Sequence, residues 1–293
     1  MTRLLKGPGG PVHLPYTATW DLTSSRGEVY RIQVAWPMHW TERSGHSDVP
    51  VIYLVDGNAV FLTAAEAAWR RAASPTFQGG GVVVAVGYPL TDAVFSPRRI
   101  HDLTPPGGSS SESGRYGGAD HLLDFIQETV KTFVADHVLA GSTLGREAIF
   151  GHSLGGLFGL HALFTRTSLF HCYMCASPSI WFDDCLILES ERRFCEGGGA
   201  DEPADTPRPA LMMSVGSLEQ KVPRRPGEGE EEYERRRKLA EERAMLDNAK
   251  ALCARLQESG LLSGVVFREY PGEDHGTVMA CALSRFLTSF FEG

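Results

Sequence analysis

The segment Gly151-His152-Ser153-Leu154-Gly155-Gly156 sets a serine in the order Gly-x-Ser-x-Gly. Its flanks agree with that pattern: Glu147 to Phe150 predicts a short apolar strand, and Leu157 to Phe164 begins a helix. A serine on such a strand-to-helix bend is held in a strained backbone conformation with its hydroxyl pushed outward. Glycines on either side remove side chains that would collide where the chain doubles back. If Ser153 attacks a carbonyl, the N–H of Leu154 and the helix N-terminus face the oxyanion that develops. The bland alternative is a glycine-rich turn that packs a helix onto a sheet; it does not require both flanks to be right.

A serine hydroxyl is a weak nucleophile at neutral pH and needs a base, which in turn needs a group to orient it. In folds built around such a bend the chain order is serine, acid, histidine. After Ser153, His161 falls inside the helix that follows and His171 opens a strand. His275, in EYPGEDHGTV, stands in a loop between the last strand and the last helix, so it is the expected base. The acid has three candidates. Glu219 follows the strand ALMMSVG, where the third member usually sits; Asp247 and Asp274 compete, and a Ser–His dyad without an acid is a fourth reading. Asp274 adjoins His275, which makes it hard for its side chain to reach back to the ring.

The second oxyanion donor should come from a loop after an earlier strand. VIYLVDGNAVF supplies one: Gly57 permits the turn, the N–H of Asn58 is the candidate donor, and Asp56 is read as fastening the turn. After VVVAVGYP comes Arg98-Arg99-Ile100-His101-Asp102, at the sheet edge where ligands enter such folds. Paired arginine donors suit an anionic or carbonyl-rich substrate, and an Arg–Asp structural pair explains the same residues equally well.

These residues need a scaffold that brings distant loops to one edge. YRIQVAWP (30–37) alternates apolar and polar residues, as a strand with one wet face does. VIYLV (51–55) and VVVAV (82–86) are continuous β-branched runs, suited to central strands covered on both sides. AIF (148–150), FHCYMCA (170–176), ALMMSV (210–215) and GVVFREY (264–270) continue the series. Helical spacing predicts helices over 60–73, 119–138, 154–166 and roughly 228–259, with a last one from Thr277 to Phe291. The alternation predicts an α/β fold: a mostly parallel central sheet flanked by helices on both faces, in a single domain over 1–293. Residues 104–118 and 196–209, rich in Pro, Gly and Ser or acidic residues, read as mobile loops. Residues 219–247 carry nine acidic and eight basic side chains; Glu231/Arg235, Glu232/Arg236 and Glu234/Lys238 are spaced to pair on a helix, and the segment reads as a solvated helical face.

Composition narrows the function. The 293 residues are 42% hydrophobic and 22% charged, which excludes a mostly disordered chain. A net charge of −8 gives no support to nucleic-acid binding. No uninterrupted run of about 18 apolar residues offers a membrane span. Residues 1–15 lack an apolar run behind Arg3 and Lys6, so the expected location is cytoplasmic. The six cysteines then need not be disulfide-bonded; Cys172 and Cys175, three apart on a strand, should point to opposite faces as buried small hydrophobes. The chemistry described requires no cofactor and no metal. Oligomeric state is not legible.

Taken together, LVDGNAVF, RRIHDLTP, GHSLGG, ASPSIWF, MLDNAK and PGEDHG resemble, in this order, the esterase-D-like branch of the α/β-hydrolases, and within it the trilactone esterases that open siderophores such as enterobactin, salmochelin and bacillibactin. The resemblance covers roughly residues 12–291. It implies a serine esterase that hydrolyses ester bonds of a siderophore, with Ser153 as nucleophile, His275 as base, Arg99 as a contact for the siderophore and Trp181 as a wall of the pocket. Some members of the group are Ser–His dyads, which keeps the role of Glu219 open. The partner implied is a small-molecule ester, with ferric catecholate and less charged hydroxamate esters both admitted. A general carboxylesterase or acyl-thioester hydrolase with the same site is the alternative.

Overall fold

A computed structural model describes residues 12–73, 80–109, 114–197 and 207–292. The strands are β1 (Thr17–Thr23), β2 (Val29–Ala35), β3 (Val49–Leu54), β4 (Val82–Gly87), β5 (Leu144–His152), β6 (Cys172–Ala176), β7 (Ala210–Gly216) and β8 (Gly264–Tyr270). They form one eight-stranded sheet in the order β1-β2-β4-β3-β5-β6-β7-β8. β1, β2 and β4 pair antiparallel, and every pairing from β4 to β8 is parallel. Every strand expected from the sequence is present. β1 was not among them, because it is an edge strand whose residues are all at least partly exposed, which erases the apolar alternation.

The longer helices are α1 (Gly57–Ala72), α2 (119–138, with widened turns at Phe125–Val130 and Val134–Val138), α3 (Leu154–Thr165), α4 (Ile187–Gly197), α5 (Glu230–Arg243), α6 (Met245–Ser259) and α7 (Val278–Glu292); short helical turns lie at Arg99–Asp102, Thr167–Leu169 and Phe182–Cys185. Because strand side chains alternate between faces, the buried strands feed two cores. Val51, Tyr53, Val84, Ile149 and Tyr173 pack with α2, α3 and α6, whereas Ile52, Leu54, Val83, Phe150 and Met174 pack with α1 and α7. Cys175 joins the first core and Cys172 the second, as their spacing requires, and both are free thiols.

Two expectations need correction. The predicted helix over 228–259 is two helices, broken at Ala244, which adopts a left-handed conformation with φ 43°. Alanine is a strong helix former, so nothing in its type marks a break. The predicted four-apart ion pairs are also not those formed: Arg235 pairs with Glu232, Arg237 with Glu234 and Glu241, and Arg236 reaches back to Glu228. Of the two expected loops, 110–113 and 198–206 lie outside the described residues. Among the described residues, no helix is long and apolar enough to cross a membrane.

Candidate active site

β5 lies near the middle of the sheet, and the bend that ends it carries Ser153 with φ 61° and ψ −116°. Such a conformation costs free energy in a non-glycine residue, and it persists only where the surroundings over-determine it. Here the Ser153 N–H donates to the carbonyl of Ala176, and its own carbonyl accepts from Leu157 and Ser179. Gly151 is obligatory: a Cβ there would fall 2.0 Å from the carbonyl oxygen of Gly155. A Cβ at Gly156 would meet the carbonyl oxygen of Ala176 at 2.9 Å.

The loop between β8 and α7 brings His275 to this bend, with its Nε2 3.0 Å from the Ser153 Oγ. Its Nδ1 is 2.6 Å from Glu219 Oε2, in the turn that follows β7. The other carboxylate oxygen of Glu219 accepts the N–H of Gly216 at 2.7 Å and the hydroxyl of Ser177 at 2.5 Å. Glu219 is thus buried and held from three sides, while the His275 side chain remains half-exposed. The competing acids are engaged elsewhere. Asp274 Oδ1 accepts the N–H groups of Gly276 and Thr277, and these hydrogen bonds, that of Thr277 foremost, hold its carboxyl below the usual range. Asp247 accepts from Gln220. His161 pairs with Asp120, and His171 accepts the N–H of Glu147.

A cavity of about 750 Å³ opens over Ser153 and His275. Leu154, Arg99 and Trp181 line it, as do Arg225, Arg236 and Arg243 from the charged segment. Arg99 grips Asp56 with two hydrogen bonds of 2.8 and 2.7 Å. Burial pushes the Asp56 carboxyl up, and the Arg99 guanidinium pulls it back. Arg98 is turned away from the cavity walls: it bonds to Asp102 and the Val29 carbonyl and lies over the rings of Tyr30 and Tyr88. The Asn58 side chain is likewise engaged away from Ser153. It clasps both main-chain polar groups of Tyr88, at 2.9 and 2.7 Å, which ties the first turn of α1 to the end of β4. Asn58 and Leu154 both occupy first helical turns, where an N–H has no intrahelical acceptor.

Several residues at the site escaped the sequence reading. Ser177 and Ser179 flank Pro178 after β6, and the Ser179 Oγ is 3.4 Å from that of Ser153. His152 packs its ring 4.6 Å from that of His275, and burial, with the His275 ring adding to it, pushes the imidazole down to about 4. Pattern could have flagged His152, which is inside the serine motif; the two serines stand in the ASPSIWF segment that carries the resemblance, but their residue type alone gives them no role. The arginines of 225–243 were read as solvated because charge spacing says nothing about which loop they face.

A mostly parallel sheet with a serine bend after a central strand, and a histidine and an acid delivered by later loops, defines an α/β-hydrolase. The Esterase family model matches residues 23–250. The chain is 48% identical to the siderophore triacetylfusarinine C esterase of Aspergillus fumigatus, over 96% of this chain and 95% of that protein. It is 43% identical to the siderophore enterobactin esterase of Emericella nidulans, over 97% and 96% of the two chains. The solved structure of the siderophore hydrolase EstA from Aspergillus nidulans superposes with a TM-score of 0.90 at 42% identity, covering 98% of each chain. The chain belongs to the Esterase family and is a carboxylic ester hydrolase of the α/β-hydrolase fold.

Proposed function

We propose that this chain is a serine esterase that hydrolyses the ester bonds of a siderophore through an acyl-enzyme and so frees its iron in the cytoplasm, where the cell can use the metal. The observation that carries the chemistry is the chain of contacts from Ser153 through His275 to Glu219, at 3.0 and 2.6 Å, on the floor of one cavity. The siderophore substrate is supported by the names of the relatives at 48% and 43% identity, esterases of triacetylfusarinine C and of enterobactin. One domain over 1–293 is supported by the single sheet, whose strands β5, β7 and β8 each end at the site.

In this reading His275 Nε2 takes the proton as Ser153 Oγ attacks the ester carbonyl. Glu219 holds the ring by its Nδ1–H and stabilises the imidazolium that forms. The N–H groups of Leu154 and Asn58 hold the oxyanion. Collapse of the tetrahedral intermediate breaks the C–O bond, and His275 returns the proton to the departing alcohol. A water, deprotonated by the same imidazole, then attacks the acyl-enzyme to give a carboxylate and free Ser153.

The test is mass spectrometry of products from a panel of iron-loaded and iron-free siderophores, run beside simple nitrophenyl esters at equal concentration. Cleavage of a siderophore with a clearly higher kcat/KM supports the reading; activity on simple esters alone points to a general carboxylesterase. Ser153→Ala should abolish all ester hydrolysis and leave the thermal transition in place, and turnover retained by that folded variant would falsify the nucleophile assignment.

A further inference from the structure

The cavity wall contributed by the charged segment is not electrically balanced. Of the four arginines that line the cavity, three come from this segment; Arg99 is neutralised by Asp56 and Arg236 by Glu228. Arg243 forms no ion pair among the described residues; Arg225 forms none with its side chain, although Glu228 accepts its backbone N–H and lies within reach of its charge. Arg243 is half-buried, its guanidinium carbon is 4.4 Å from the centroid of Trp181, and its Nε is buried without a hydrogen-bond partner. A half-buried guanidinium whose Nε–H is kept out of water and unused leaves interaction energy unrealised, so its presence in a cavity wall calls for an acceptor brought by a ligand. The stacking on Trp181 fixes the plane of the guanidinium and leaves its edge for paired oxygens. The backbone breaks at the same place: Ala244, between the cavity residues Arg243 and Met245, is left-handed.

We infer that Arg243 and Arg225, with Trp181 as platform, form a subsite for a group of paired anionic oxygens on the substrate, in the same cavity as Ser153. The inference rests on the esterase reading of that cavity. Such a group has two sources: the carboxylate that each ester cleavage leaves on an opened lactone chain, and the catecholate oxygens of an iron ligand. In the first case the subsite anchors a partly cleaved chain by its acid end while its next ester meets Ser153. The net acidic charge of the molecule does not oppose this, because at short range the half-buried Arg243 guanidinium outweighs distant, screened carboxylates.

The experiment compares kcat/KM for two linear diesters that differ only in ending with a carboxylate or a primary carboxamide, in wild type, Arg243→Gln, Arg225→Gln and Arg243→Lys. A second arm compares a ferric catecholate trilactone with a ferric hydroxamate trilactone. The expected result is that Arg243→Gln lowers the preference for the anionic member of a pair by about tenfold or more, mostly through KM, the scale of a charge-assisted hydrogen bond lost. Arg225→Gln should do so less, since its side chain is more exposed, and Arg243→Lys should recover part of the preference. The arm in which the preference falls names the source. Equal losses on both members of each pair, or no change of preference, overturn the subsite. Labelling of Ser153 by a fluorophosphonate probe in each variant shows that the elbow is intact. A wild type that cleaves the diesters and no siderophore would sink the substrate reading alone, and the diester ratios would still judge the subsite.

Discussion

Glu219 gives its two carboxylate oxygens different tasks: one is saturated by Gly216 N–H and the Ser177 hydroxyl, the other is reserved for His275. Replacing it by glutamine keeps the shape and puts an N–H donor beside either the imidazole or those donors. Glu219→Gln should therefore lower kcat on a simple ester by at least about a hundredfold, through the wrong tautomer of His275. A near-normal rate would show that the Ser–His pair works alone. His152 offers a test by pH. Its folded-state value is near 4 and its unfolded value near 6.5, so between these limits the unfolded chain binds more protons. Stability from this group is complete above the unfolded value and is lost as pH falls through the window, by on the order of 3 kcal/mol. Urea denaturation of wild type and His152→Phe at pH 7 and pH 4.5 should show the smaller acid loss in the variant; parallel losses would remove His152 as the cause.

At the scale of elements, the decisive feature is the junction of α5 and α6. Ala244 holds a conformation that costs an L-residue about 1 kcal/mol and glycine almost nothing. Ala244→Gly should stabilise the protein by roughly 0.5–1 kcal/mol, read as a higher urea midpoint with an unchanged slope. A destabilisation would mean that α5 and α6 prefer to run on as one helix. The sequence could not show the break, since Glu230 to Ser259 keeps helical composition throughout. It could show the bend at Ser153, because a strand, a Gly-x-Ser-x-Gly motif and an apolar helix follow one another within a few residues.

For the molecule as a whole, the two cores on opposite faces of the sheet hold the loops that meet at the site. α7 anchors the His275 loop, and its Phe286 is buried against Phe150, with ring centroids 6.2 Å apart. Phe286→Ala should cost about 3–5 kcal/mol in chemical denaturation, as large core truncations do. A loss under about 1 kcal/mol would show that this face is held chiefly by other contacts. The amino-acid sequence by itself determined the alternation of strands and helices, the bend with its nucleophile, and the order in which acid and base follow, because these depend on local periodicity and on residues close together in the chain. Only the tertiary structure decided that Glu219 rather than Asp247 or Asp274 meets the imidazole, that Arg98 turns to Asp102 while Arg99 faces the cavity, and that a segment of alternating charge forms an active-site wall. Those choices depend on which loops converge at one edge of the sheet, and residues far apart in the chain carry no local signal of whom they will meet.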